Sequence, residues 1–145
     1  ALPIGYIGMP INLDTCYTDA CHNLALQSVD CFCSPTDDPP TPRNSLNILH
    51  AAFYPFRSIE NGVPSVRADT RAFSLITDRF GRIIALSQKQ GGRAVLGSVD
   101  SEVRHTPYRR LGDSFAWGCA ALTLLLLCGS AGHVYLDYRS NANAS

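Results

Sequence analysis

The chain has 145 residues and a mass of 15.7 kDa, with 12 basic and 12 acidic residues and therefore a formal net charge of zero. This length predicts a single domain over residues 1–145. Zero net charge argues against a protein that coats nucleic acid, so we expect no nucleic-acid partner. Apolar residues make up 46% of the chain and charged residues 17%, which indicates a folded protein rather than a disordered one.

Six cysteines, four of them between residues 16 and 33, suggest a disulfide framework. They are Cys16, Cys21, Cys31, Cys33, Cys119 and Cys128. The chain starts at Ala1 without a methionine, as a signal peptidase would leave it, which favours a secreted, extracellular protein in an oxidising compartment. We therefore predict that all six cysteines pair, with at least one bridge from the segment 16–33 to Cys119 or Cys128.

Metal binding is the alternative use of these cysteines. The cluster at residues 16–33, with His22 nearby, contains enough soft ligands for one ion. A Cys-x-Cys pair, however, lacks the two to four intervening residues that let two thiolates face one tetrahedral zinc ion. We expect no metal and no cofactor.

The first half of the chain predicts one helix and one loop. A short helix is expected from Thr18-Asp19 to about Val29, with Asp19 as its cap and a partial apolar stripe. Residues 34–45 contain four prolines, which favours an exposed loop. Residues 46–53 fit a helix or a strand equally well, and Pro55 is expected to end either one.

The next segment predicts a small antiparallel sheet. Two β-branched and aromatic runs, 71–77 and 82–87, flank a turn that contains Gly81, and a third run follows at 93–99. We expect these runs to form a three-strand meander. The predicted fold class is α+β, with an antiparallel sheet of three to five strands, one or two packed helices and disulfide staples.

Residues 114–136 contain no formal charge, which raises the question of a membrane span. Only residues 115–128 are densely apolar, and fourteen residues suit a buried core helix better than a span of about 20. Arginines on both sides keep a single-pass segment as an alternative. Residues 134–138 alternate like an edge strand, and 139–145 are expected to form a flexible tail.

No catalytic motif is visible: there is no nucleophile elbow, no P-loop and no zinc-protease helix. The best candidates for acid–base chemistry are Glu102 and His105, with Arg109 to hold a phosphate, as a metal-independent ribonuclease would need. The run Tyr108-Arg109-Arg110 has three readings: a solvated connector, a dibasic processing site, or a contact with a phosphate or a partner.

In size, cysteine number and absence of motifs, the chain resembles the small disulfide-stapled effectors and toxins that microbes secrete. That resemblance implies a function in binding a host or competitor protein through surface loops, with Tyr108, Arg109 and Arg110 as contact residues, rather than catalysis. Two alternatives stay open: a small secreted ribonuclease-like hydrolase, and a single-pass membrane subunit of a larger assembly.

Overall fold

The computed structural model describes residues 5–39, 45–87, 94–100, 102 and 105–142, with the side chains of the last helix described as far as His133. The chain divides into two compact units, Ala1–Arg110 and Leu111–Ser145. Each unit is described here by itself.

The first unit is built on one mixed sheet. In chain order, the elements up to Leu111 are strand β1 (Ile7–Gly8), a 3-10 helix that we call the cysteine turn (Asn12–Cys16), helix α1 (Thr18–Leu26), strand β2 (Cys31–Thr36), helix α2 (Ser45–Asn61), strands β3 (Ser65–Asp69), β4 (Leu75–Thr77) and β5 (Ile83–Leu86), and helix α3 (Pro107–Leu111). The strands lie in the order β1-β2-β3-β4-β5. The first two pairings are parallel and the last two are antiparallel.

The α+β class is confirmed, but the prediction of a purely antiparallel sheet is wrong. Strands β2 and β3 run parallel because helix α2 forms the crossover between them, and parallel neighbours need a connection of this length. The hairpin of β4 and β5 is confirmed, and its turn places Gly81 at φ 75°. The third strand of the meander is β3, which precedes the hairpin. The run 93–99 was predicted as that third strand, and its described residues, 94–99, have no regular structure.

Helix α2 continues through Pro55, where the sequence predicted an end. The ring removes one backbone donor, but side chains beyond it are held by the sheet. The Ser58 hydroxyl lies 2.7 Å from that of Ser65 and 2.8 Å from that of Thr77, and Asn61 is fully buried. These tertiary contacts outweigh the local preference.

Two buried clusters lie between the sheet and the helices. They contain Cys21, Ala25, Val29, Phe32 and Val63 in one group, and Ala51, Tyr54 and Leu75 in the other.

Strand β2 extends to Thr36 and so occupies the first three residues of the segment 34–45 that was predicted as an exposed loop. Ser34 and Thr36 are buried because they alternate with outward-facing residues. Residues 40–44 lie outside the described part of the chain.

The predicted disulfide staples are absent, because all six cysteines are free. The sulfurs of Cys31 and Cys33 lie 3.9 Å apart, whereas a disulfide needs about 2.05 Å. These two residues occupy alternate positions of β2 and therefore share one face of the sheet. Cys21 is fully buried in the apolar core, where a thiol packs as a small hydrophobic group.

The second unit contains one long helix, α4 (Ser114–Ala142). The prediction of a buried helix at 115–128 is wrong, because its apolar side chains are exposed: Leu125 is 70% exposed and Trp117 76%. The predicted edge strand at 134–138 is also wrong, because Gly129 does not end the helix. Helix α4 includes residues 139–142 of the predicted tail, and 143–145 lie outside the described residues. Within α4, the segment Ser114–His133 is long and apolar enough to cross a membrane.

Candidate active site around Cys16

A cavity of about 270 Å³ lies in the first unit between the cysteine turn, the residues that follow β2, and helix α2. Its apolar wall includes Leu13, Leu49 and Phe53. Its polar groups are Asn12, Cys16, Asp37, Asp38, Asn47 and His50. None of the other five cysteines, all of which the structure describes, lines this cavity. It combines a nucleophilic sulfur with apolar and charged walls.

Cys16 is half-buried at the end of the cysteine turn, two residues before helix α1 begins. Local hydrogen bonds close the turn. The Asp14 N–H donates to the Ile11 carbonyl (3.0 Å), the Ile11 N–H to Asp14 Oδ2 (2.9 Å), and the Tyr17 N–H to the Asp14 carbonyl (3.1 Å). The positive end of a helix dipole favours a thiolate, so the start of α1 suits a reactive cysteine.

The charges around the Cys16 sulfur oppose one another. Burial raises the pKa of the thiol and the Asp38 carboxylate adds to that rise, whereas the guanidinium groups of Arg57 and Arg67 lower it. The net pKa lies above the usual 9.0. The thiol is therefore protonated at neutral pH, and a nucleophilic attack has to be accompanied by removal of its proton.

Four buried charged side chains, which we call the charge cluster, stand beside the cavity: Asp38, His50, Arg67 and Asp69. His50 Nδ1 lies 2.8 Å from Asp38 Oδ1. Arg67 Nη2 donates to Asp38 Oδ2 (2.5 Å) and to Asp69 Oδ2 (2.8 Å). Each member is 8% exposed or less. The Arg67 cation faces two carboxylates in this cluster, and pairing of this kind is how charge is tolerated away from water.

Asn47 supplies a buried polar atom without a partner in the cavity wall. Its side chain is fully buried, and its Nδ2 donates to the Pro39 carbonyl at 3.2 Å. Its Oδ1 has no hydrogen-bond partner in the part of the chain that the structure describes. A buried unsatisfied acceptor is costly, so a ligand with an N–H or O–H group would gain by meeting it.

The other cysteines of the first unit have different surroundings. Burial raises the pKa of Cys21 to about 12. The Cys31 and Cys33 sulfurs are hydrogen-bonded to each other at 3.9 Å, which lowers the pKa of Cys33 to about 7 and raises that of Cys31. Cys33 is thus the more readily ionised thiol, but Cys16 is the one that lines the cavity.

The structure places the three predicted catalytic residues apart from this cavity. Glu102 is exposed and pairs with Arg79, whose Nη1 lies 3.1 Å from its Oε2. His105 is exposed, whereas Arg109 is 5% exposed. Their catalytic role stays a prediction.

The three predicted contact residues belong to helix α3, where the sequence indicated a polar connector. The Tyr108 ring meets the His22 ring edge-on, with 5.5 Å between centroids. Arg109 is buried and its backbone N–H donates to the Thr106 hydroxyl at 3.0 Å, while Arg110 is exposed. Their role in binding also stays a prediction.

Sequence reasoning missed the cavity because it treated Cys16 as half of a disulfide and did not single out His50. One available signal was the position of Cys16 two residues before a helix, which neither Cys31 nor Cys33 shares. The charge cluster had no such signal, because its members come from three separate segments: the residues after β2, helix α2 and strand β3.

No model of a protein family matches the chain. Solved structures do resemble it. The carbon-nitrogen hydrolase from Helicobacter pylori G27 is 15% identical, with a TM-score of 0.63 over 69% of this chain and 42% of that one. Saccharomyces cerevisiae Nit3, a member of branch 10 of the nitrilase superfamily, is 19% identical, with a TM-score of 0.52 over 63% and 37%. The chain therefore has part of the carbon-nitrogen hydrolase fold.

A third similar structure is covalently modified at its own active-site cysteine. The amidase from Nesterenkonia sp. AN1 is 15% identical, with a TM-score of 0.53 over 63% of this chain and 37% of that one. That amidase carries the acetamide moiety of fluoroacetamide, added covalently at its active-site cysteine.

Two curated relatives are apolipoprotein N-acyltransferases. The one from Geobacter metallireducens is 34% identical over 86 residues, which are 59% of this chain and 16% of the relative. The one from Chlamydia trachomatis serovar D is 29% identical over 119 residues, 78% of this chain and 21% of the relative. The chain thus spans about a fifth or less of these relatives.

These relatives and similar structures contradict the function that was predicted from the sequence. The prediction of a secreted effector or toxin that binds a host or competitor protein is wrong, and so is the prediction of an extracellular location. The relatives are acyltransferases, and the similar structures are enzymes of the carbon-nitrogen hydrolase type. All six cysteines are free, so the main reason for predicting a secreted protein is removed.

Proposed function

We propose that this chain forms the nucleophile-bearing part of a membrane-bound N-acyltransferase, in which Cys16 accepts the acyl group. One observation carries the proposal: Cys16 alone among the six cysteines lines the cavity beside the charge cluster. The fold supports it, since a similar amidase is modified at an active-site cysteine. The names of the curated relatives supply the reaction class.

The reaction has two steps with a thioester between them. In the first, the Cys16 sulfur attacks the carbonyl carbon of an acyl donor. A C–S bond forms, the bond to the leaving group breaks, and the thiol proton is transferred to that leaving group. In the second, an amine attacks the thioester, so that a C–N bond forms, the C–S bond breaks, and the amine proton restores the thiol.

The cavity contributes groups that suit both steps. Arg57 and Arg67 favour the sulfur anion, although burial and Asp38 keep the thiol protonated until attack. The unpaired Oδ1 of Asn47 accepts a hydrogen bond from the incoming amine. Such an acceptor holds the amine with its lone pair free for attack.

Helix α4 supplies the membrane anchor in this proposal. Its segment Ser114–His133 has 20 residues, the number that spans a hydrocarbon core of about 30 Å. Phe115 is 83% exposed and Leu125 70%, so this helix presents apolar side chains that lipid would cover. A membrane location also brings the enzyme to acyl donors that are themselves lipids.

Trapping the thioester tests the proposal. The 145-residue chain in detergent is incubated with p-nitrophenyl hexanoate, and peptide mass spectrometry locates the added hexanoyl group. We expect one group on Cys16, removable by neutral hydroxylamine, absent from Cys16→Ala and unchanged in Cys33→Ala. Acylation of Cys33 in place of Cys16, or no acylation of the wild type, would contradict the proposal.

A further inference from the structure

His50 is buried in the cavity wall, and both of its ring nitrogens face oxygen atoms. Nδ1 lies 2.8 Å from Asp38 Oδ1, and Nε2 lies 3.1 Å from the Asn12 carbonyl oxygen and 3.3 Å from Thr15 Oγ1. A carbonyl and an ionised carboxylate only accept hydrogen bonds. A hydrogen bond from Nε2 to the Asn12 carbonyl therefore has Nε2–H as its donor, while Nδ1 faces the Asp38 carboxylate.

The oxygen atoms that Nε2 reaches belong to the cysteine turn. Asn12 is its first residue, and Thr15 directly precedes Cys16. Asn12 has φ 51°, in the left-handed region that is costly for residues other than glycine, although asparagine tolerates it better than most. The Thr15 hydroxyl also donates to the Asn12 carbonyl at 3.2 Å, so His50 adds a donor from another element at a point where the turn already bonds to itself.

His50 is itself held rigidly from behind. Asp38 fixes Nδ1, Arg67 fixes Asp38, and Asp69 fixes Arg67 through contacts of 2.8, 2.5 and 2.8 Å. The Arg67 and Asp69 side chains are fully buried. This chain of ion pairs connects strand β3 to the cysteine turn through one imidazole ring. Groups that are locked by such a supporting shell hold a reactive atom more accurately than a loop does alone.

We propose that His50 is a positioning residue for Cys16: its Nε2–H holds the Asn12 carbonyl and the Thr15 hydroxyl, so that the cysteine turn presents the sulfur to the cavity. The catalytic consequence rests on the proposed function, whereas the effect on the turn does not. In this role His50 acts through the backbone of the turn.

Backbone hydrogen exchange in His50→Ala tests the effect on the turn. The reporters are the amides of Asp14 and Tyr17, which close the turn, and the control amide is that of Phe32, which donates to the Pro64 carbonyl at 2.9 Å. We expect exchange at Asp14 and Tyr17 to accelerate roughly tenfold, the factor for about one lost hydrogen bond, with Phe32 unchanged.

Two further variants sharpen this comparison. His22→Ala, on helix α1, is the matched control and should leave all three amides unchanged. His50→Gln retains an N–H donor and should give an intermediate acceleration. Unchanged exchange at Asp14 and Tyr17 in His50→Ala, or an equal acceleration at Phe32, would overturn the proposal, because the role of His50 would then be absent or generally structural.

The rate of thioester formation at Cys16 tests the catalytic consequence. In His50→Ala we expect kcat to fall by roughly ten- to a hundredfold, as for a small displacement of a reacting atom, with KM changed by less than about twofold. A kcat equal to that of the wild type would overturn the positioning role in catalysis. If the wild type forms no thioester at Cys16, the proposed function fails, and the exchange experiment still decides whether His50 holds the turn.

Discussion

The first unit buries charged side chains, whereas the described part of the second unit exposes apolar ones. In the first unit the Arg67 and Asp69 side chains are fully buried, whereas in α4 Leu125 is 70% exposed. The charged side chains are buried because each meets an opposite charge at hydrogen-bonding distance. The leucines of α4 are exposed because the described protein groups do not cover them. Burial is thus decided by the available partners as well as by residue type.

The largest effect is expected from removing the cation at the centre of the charge cluster. Arg67→Ala leaves Asp38 and Asp69 without their shared partner in a buried site, which should lower the free energy of unfolding by about 3–5 kcal/mol. Urea titration of the detergent-solubilised chain, followed by fluorescence, measures the change.

Arg71→Ala is the matched control for that substitution. The pair of Arg71 with Asp37 has side chains that are 47% and 59% exposed, so solvent screens it and its loss should lower the free energy of unfolding far less than the loss of Arg67 does. Equal losses in the two variants would show that the charge cluster is less buried than described.

A pair of identical substitutions compares the two units directly. Leu75→Ala removes a side chain that is 2% exposed in the first unit and should cost about 2–5 kcal/mol. Leu125→Ala in α4 should change the free energy of unfolding by less than about 0.5 kcal/mol, because no buried contacts are lost. The same urea titration serves for both. A large loss for Leu125→Ala would restore the buried helix that the sequence first predicted.

A charge in the middle of α4 should disturb membrane insertion and leave the first unit folded. Leu125→Arg places a guanidinium within the proposed span, at a cost of about 2.5–3.5 kcal/mol for insertion. We expect a larger soluble fraction after carbonate washing of membranes, with Asp137→Asn, beyond the span, as control. If the wild-type chain is released by carbonate, α4 is not an anchor.

The smallest effect is a difference in pH dependence between two cysteines. Alkylation by iodoacetamide follows the thiolate fraction. The lowered pKa of Cys33, about 7, predicts a rate that levels off above that pH. The raised pKa of Cys16 predicts a rate that still increases above pH 9.0. Peptide mass spectrometry separates the two sites, and identical profiles would contradict the described surroundings.

Local signals predicted the parts of the fold that depend on neighbouring residues. Helix α1 follows from an apolar stripe, although the predicted cap, Asp19, lies within its first turn and the helix ends at Leu26. The hairpin of β4 and β5 follows from a turn with Gly81. The parallel pairing of β2 with β3 and the passage of α2 through Pro55 could not be predicted, because both depend on contacts between distant segments. For the same reason the sequence placed Ser34 in an exposed loop.

The candidate site was harder to predict than the fold. Cys16 was noticed, but the count of six cysteines favoured disulfides over a nucleophile. Asp38, His50 and Arg67 lie far apart in sequence and meet only when β2, α2 and β3 pack together. The apolar run of α4 was recognised, but its length was taken as fourteen residues because glycines and a histidine interrupt its second half.

Product formation tests the central claim most directly. The chain in detergent is given p-nitrophenyl hexanoate and a peptide with a free N-terminal amine, and the N-acylated peptide is measured by mass spectrometry. The account predicts an amide product that Cys16→Ala abolishes and Cys33→Ala leaves intact. Amide formation that survives in Cys16→Ala, or that is lost only in Cys33→Ala, would contradict it.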